Sequence, residues 1–153
     1  QITILRGLMG GDYFGFKGDF YDIPDLKLCP VPSQPVPILI GGHSKLALKR
    51  AAKLGDGWIS AGITLEETKD FINQINSYRE EFGTLDHPNY QFQVMGEAAY
   101  SPDGVKALED LGATEVIVAF RNAYEGGPDE RTLDSMKAEI SWYAEEVINK
   151  FRS

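Results

Sequence analysis

The sequence is poor in the features that mark several large functional classes. Cys29 is the only cysteine, so the chain has no internal disulfide and no cysteine-based metal spacing, and a reducing cytoplasm is the default expectation. No metal site is expected. No apolar run approaches the length needed to span a bilayer, and the start, QITILRGLMGGDYF, has no cleavage signature. No basic tract is present: 15 Lys and Arg face 23 Asp and Glu, a formal net charge of -8. That balance argues against a nucleic-acid backbone or an anionic membrane as partner. GxGxxG and Walker A motifs are absent, as are internal repeats and low-complexity segments.

The 153 residues suit one domain, and their 42% apolar share suits a folded core. Ile2 to Met9 reads as the tail of an amphipathic helix stopped by Gly10-Gly11, and a chain beginning inside a helix is expected to lack something upstream. Tyr13, Phe14 and Phe16 face Phe20 and Tyr21 across Lys17-Gly18-Asp19, which predicts a small aromatic hairpin. Five prolines between residues 24 and 37 predict an extended connector.

Four strand-helix alternations follow. The strands are predicted at Ile38–Ile40, Gly57–Ala61, Tyr90–Met95 and Thr114–Phe120. Helices are predicted over Ser44–Leu54, from the Thr64/Glu67 capping box to Gly83, from Ser101-Pro102, and over about Asp129–Phe151, the last with Leu133, Met136, Ile140, Tyr143 and Val147 inward. Such alternation gives a parallel sheet with right-handed crossovers. Four units make either a small open α/β sheet or half of an eight-stranded barrel. Both have open sheet edges, so a second copy of the chain or a missing N-terminal half is an expected partner.

The run PVPILIGGHSKLALKRAAKLGDGWISAG, residues 35–62, carries the chemistry. A strand ends in Gly41-Gly42, and a helix begins two residues later. Glycines allow close backbone approach, and a helix N-terminus offers unpaired N–H groups and a positive dipole end. Ser44 adds a hydroxyl and Lys45 a charge. The segment is therefore either a phosphate cradle or a plain strand-to-helix turn with Ser44 as its cap.

This run, with the hairpin GDYFGFKGDFYDIPDLKLCPVPSQP before it, resembles the signature of the luciferase-like monooxygenase family, especially its F420-dependent branch. The shared features are Pro37, Gly41-Gly42, Ser44, the helix with Ala47, Arg50 and Ala51, and Asp56-Gly57-Trp58. Residues 1–62 carry the resemblance, and the rest follows by its order of strands and helices. It implies a TIM-type (β/α)8 barrel, with this chain as the C-terminal half: residues 1–34 as helix tail, hairpin and connector, and 35–153 as βα units five to eight. It implies F420 or FMN as cofactor, a small-molecule substrate and oxidoreductase chemistry. Its phosphate contacts would fall on Gly41, Gly42, His43 and Ser44, and on Ser60, Ala61 and Gly62. Catalytic residues would lie largely in the missing half, so none is assigned. A catalytically inactive fragment or a self-associating half-barrel is the rival expectation.

Glu97 and Arg121 follow the third and fourth strands and are candidates to face a substrate at the barrel mouth, each against the plainer reading of a surface ion pair. His87 reads as a surface loop residue, Asp56 as a turn holder that bonds nearby N–H groups, and Trp58 as helix-strand packing.

Overall fold

The computed structural model describes residues 1–121 and 127–152. The chain divides into two compact units, Gln1–Ile38 and Leu39–Ser153.

In the first unit, helix α1 (Ile2–Met9) buries Ile4. The Phe14 ring lies where a side chain on Gly7 would have to go. Strands β1 (Phe14–Lys17) and β2 (Asp22–Leu26) pair antiparallel, with Phe16 opposite Ile23. The hairpin forms, but not with the expected second strand. Gly18 N–H bonds Tyr21 O across the turn at 2.9 Å, Phe20 points out at 92% exposure, and the paired strand is Asp22–Leu26. Pro24 is tolerated there because a two-stranded ribbon has outer edges where no N–H is needed. The extended connector therefore begins after Leu26.

The second unit is a four-stranded parallel sheet in the order β3 (Leu39–Gly41), β4 (Gly57–Ile59), β5 (Gln91–Met95), β6 (Glu115–Ile117). Gly41 aligns with Ile59, Ile59 with Gln93, and Gln93 with Glu115. Helices α2 (Lys45–Leu54), α3 (Leu65–Phe82) and α4 (Pro102–Asp110) connect them. Their inner faces and the strands bury a core around Leu48, Trp58, Ile75, Val94 and Leu108. Each helix starts where its cap dictates. Ser44, Thr64 and Ser101 accept the N–H groups of Ala47, Glu67 and Gly104, and Glu67 returns the bond to Thr64 as a full capping box.

The last strand is shorter than its apolar run predicts. Beyond Ile117 the ladder gives way to a side chain: Tyr100 Oη donates to Ala119 O at 2.7 Å and accepts Ala119 N–H at 3.0 Å. The C-terminal helix also departs from expectation. It begins at α5 (Leu133–Tyr143), capped by Thr132, because Asp129 is drawn into bonds with the Arg131 N–H and guanidinium. A π turn (Ala144–Ile148) and α6 (Asn149–Arg152) complete it. Leu133 and Ile140 are not inward but 66% and 57% exposed, whereas Tyr143 and Val147 are buried. The C-terminal half of this helix lies against α4, and Tyr143 Oη bonds Ala99 O. Among the described residues no helix is long and apolar enough to cross a membrane.

Candidate functional site

The C-terminal ends of β3 and β4 are neighbours by register, so the loops that leave them emerge side by side. The first loop is Gly41-Gly42-His43-Ser44. Gly42 has φ +110°, a region that side chains avoid, and a Cβ there would also stand 3.1 Å from the Cβ of Ala47. By position, the first-turn amides of α2 have no intrahelical acceptor; Ser44 Oγ takes that of Ala47 at 3.3 Å. The buried Trp58 indole donates to Gly42 O at 2.9 Å and fixes the loop from beneath.

The second loop is Ser60-Ala61-Gly62. Ser60 is 3% exposed, its N–H goes to Gln93 O, and its Oγ accepts Met95 N–H, both at 2.9 Å. It is thus the anchor of this loop. Ala61 and Gly62 form the exposed tip. Gly62 has φ +61°, and a Cβ there would meet nothing within 4 Å. Ala61 N–H reaches His43 Nε2 at 3.4 Å, which joins the two loops. The His43 ring stacks on Phe71 of α3, with centroids 5.0 Å apart and planes 20° apart.

A cleft of 570 Å³ opens beside this tip, lined by Gly62, Ile63, Thr64, Leu65, Glu97 and Ala98. Its size suits a small organic ligand. Glu97 is therefore brought to the loops. Arg121 is committed elsewhere. Its guanidinium donates to Gly127 O at 2.9 Å and lies 3.6 Å from Asp129, which also pairs with Arg131. Hydrogen bonds from Arg131 hold the Asp129 carboxyl well below its usual range and raise Arg131 in turn. Glu67 is lowered chiefly by the Thr64 N–H and hydroxyl of its capping box, with a smaller contribution from His43.

The opposite end of the sheet is closed by side chains. Asp56, 9% exposed, is 3.2 Å from His87 Nε2, and the other ring nitrogen of His87 lies 2.8 Å from Pro88 O. Asp56 thus pairs with a histidine side chain from the loop before β5. Arg79 is 6% exposed, with its guanidinium 3.9 Å from the Tyr90 ring centroid. It donates to Asn76 Oδ1, Thr84 O and Leu85 O. Burial lowers the Arg79 guanidinium from its ordinary value and, with a smaller contribution from Asp56, pushes the Tyr90 phenol up to about 12.

Three features escaped sequence reasoning: the Trp58–Gly42 bond, the His43–Phe71 stack and the burial of Arg79. Phe71 reads as ordinary helix face, and a charged residue late in a helix reads as solvated. Only Trp58 carried a signal, because a buried indole N–H needs an acceptor. No group of three side chains suited to a metal ion occurs among the described residues.

Comparison with known proteins agrees with this architecture. The chain is 45% identical over 149 residues to an uncharacterised protein of Mycobacterium tuberculosis, covering 97% of this chain and 51% of that protein. It is 40% identical over 111 residues to the F420-dependent glucose-6-phosphate dehydrogenase of Amycolatopsis mediterranei, covering 72% of this chain and 33% of the enzyme. The chain therefore spans about half the length of the first of these and a third of the second. Among solved structures, an F420-dependent secondary alcohol dehydrogenase in complex with an F420-acetone adduct matches with a TM-score of 0.55 and 23% identity, over 72% of this chain and 34% of that one, a likeness of fold. The family profile described as luciferase-like monooxygenase matches residues 1–146, and this chain belongs to that family.

Proposed function

We propose that this chain supplies the cofactor-phosphate site of a flavin- or deazaflavin-dependent oxidoreductase. In this reading residues 35–153 are βα units five to eight of a TIM-type barrel, and 1–34 lead into them. The observation that carries it is the pair of glycine-bearing loops at adjacent strand ends. Gly42 at positive φ turns the backbone toward the α2 N-terminus, and Ala61 and Gly62 stand at the second tip with no side chain over Gly62. Backbone donors, a helix dipole and an open glycine suit an anionic phosphate despite the acidic chain. Family membership makes F420 or FMN the cofactor to test, and the F420-dependent relatives favour the former.

Gly41, Gly42, His43 and Ser44 with Ala61 and Gly62 would hold the phosphate, and Ser60 would anchor the second loop. The cofactor, when bound, supplies hydride transfer or, as reduced FMN, activation of oxygen. The chain's own residues bind and orient it, and the cleft lined by Glu97 accepts a small-molecule substrate beside it. Titration of the purified chain with F420 and with FMN, followed by cofactor fluorescence, tests the assignment. Saturable binding of one cofactor that Gly42→Val weakens would support it. Binding that is indifferent to Gly42→Val would refute the loop's role.

A second reading, a self-associating half-barrel without activity of its own, is favoured by the two edge strands β3 and β6. A chain that stays monomeric in solution at high concentration would count against it.

A further inference from the structure

The cleft beside the second loop carries a charge that the fold does not use. Strand β5 leaves the sheet at Gly96 and passes at once into a short 3-10 turn, Glu97–Tyr100. A Cβ on Gly96 would stand 2.2 Å from Ile63 O, so glycine is what lets the two strand exits lie this close. Ile63 N–H bonds Met95 O at 3.1 Å and holds the same contact from the other side. The turn itself is fixed. Ala99 is fully buried, its N–H goes to Gly96 O at 3.1 Å, and its carbonyl accepts the Tyr143 hydroxyl at 2.8 Å. Glu97 is therefore carried on a rigid support at the rim of the cleft.

The rest of the lining is apolar or already engaged. Ile63, Leu65 and Ala98 are apolar, and Gly62 is bare. The Thr64 hydroxyl accepts Glu67 N–H at 3.2 Å and donates to the Glu67 carboxylate at 3.1 Å. The N-terminus of α3 borders the cleft, but Glu66 and Glu67 in its own first turn answer its positive end. Among the described residues no Lys, Arg or His lines the cleft, and Glu97 makes no hydrogen bond or ion pair. The cleft thus presents one uncommitted carboxylate beside an apolar wall.

We propose that Glu97 sets the charge preference of this cleft, which takes a small organic cation, an amine carrying a short apolar chain, and turns away carboxylates and phosphate esters. This rests on the reading of the cleft as the substrate site. A carboxylate only accepts hydrogen bonds, so it pairs with the N–H donors of an ammonium group and repels an anion. The wall of Ile63, Leu65 and Ala98 covers the alkyl part. A cofactor phosphate on the neighbouring loops would add charge of the same sign as Glu97, and the chain's net charge of -8 does so already.

Three probes that share a butyl-length chain, n-butylamine, 1-butanol and butyrate, test this by titration into the full, nitrogen-15-labelled chain at neutral pH. Binding is read from the amide NMR signals of Gly62, Leu65 and Ala98. The amine is expected to shift them saturably and to bind about fivefold more tightly than the alcohol, the upper end for an ion pair open to water. Butyrate is expected not to bind. Glu97→Gln keeps the shape and an acceptor oxygen, and should bring the amine down to the level of the alcohol. Glu97→Lys should invert the order, with butyrate binding more tightly than the amine, which a merely structural role of Glu97 would not produce. Unfolding midpoints confirm that both variants fold. Binding of the alcohol or butyrate as tight as that of the amine, or an amine preference that survives Glu97→Gln, overturns the charge selection and leaves the cleft standing as a ligand site. Absence of any shift with all three probes overturns the cleft as a ligand site and the selection with it, while the phosphate loops keep their own test.

Discussion

The two ends of the parallel sheet use opposite strategies. At the N-terminal ends of β4 and β5, side chains close the surface: Asp56 meets His87, and Arg79 lies over Tyr90 while bonding the carbonyls of Thr84 and Leu85. At the C-terminal ends of β3 and β4, backbone and glycine dominate, with Gly42 and Gly62 at positive φ and exposed loop tips. One end ties its side chains to one another and to loop carbonyls, leaving the Tyr90 hydroxyl and Arg79 Nε buried without a partner among the described residues, and the other exposes glycine-bearing loop tips. Under the proposed assignment of the glycine loops to phosphate, the contrast divides stability from binding, and substitutions at the two ends should move different observables.

The largest effect is expected from Arg79→Met. It removes the donor from the carbonyls of Thr84 and Leu85 at a position only 6% exposed. A loss of roughly 1–3 kcal/mol follows from removing hydrogen bonds made by a charged donor and disturbing the packed site around it. Urea unfolding should show a lower midpoint, while the cofactor affinity of the protein that remains folded stays the same. Gly42→Val should do the reverse in emphasis. Holding a branched residue at φ +110° costs about 1–3 kcal/mol of strain, and the added side chain would block backbone approach at the proposed phosphate loop. Affinity for F420 or FMN is expected to fall at least tenfold, about 1.4 kcal/mol. An affinity loss in Arg79→Met as large as that in Gly42→Val would erase the division between the ends.

Thr64→Ala removes one half of a complete capping box at the rim of the cleft and should cost about 1 kcal/mol in chemical denaturation. The smallest effect at neutral pH is expected for Tyr90→Phe. The phenolic oxygen is buried without a hydrogen-bond partner among the described residues, so its removal should be neutral or mildly stabilising. Its signature is in pH. Burial raises the folded-state Tyr90 from 10.0 to about 12. The neutral phenol is therefore favoured by folding, its contribution is full below pH 10, and it is lost as pH rises toward 12. Tyr90→Phe should flatten that decline in the unfolding free energy, and an unchanged slope would show that the phenol is not held neutral.

Much of this was legible in the residues because caps and periodicity act locally. Ser44, Thr64 with Glu67, and Ser101 set three helix starts, and Gly83 at φ +66° stops α3. The hairpin's second strand and the start of the last helix were misplaced for the same reason. Tyr21 and Asp129 were committed to partners that local pattern does not reveal, Gly18 and Arg131. The exposed Leu133 and Ile140 show that an apolar stripe does not say how much of it finds a surface. At the site, the glycine loops were visible as glycines before a helix. The pairing of His43 with Ala61 was not, because 18 residues separate them and only the β3–β4 register brings them together.

Trp58 gives the protein a built-in optical readout. It is one of two tryptophans and fully buried, whereas Trp142 is 49% exposed. A collisional quencher such as iodide should reach Trp142 and leave the blue-shifted emission of Trp58 behind. Because its indole N–H is bonded to Gly42 O, that residual emission originates directly beneath the first loop. A bound flavin or deazaflavin, which absorbs in the near ultraviolet, would draw excitation energy from it, so occupancy of the loops could be followed without any label.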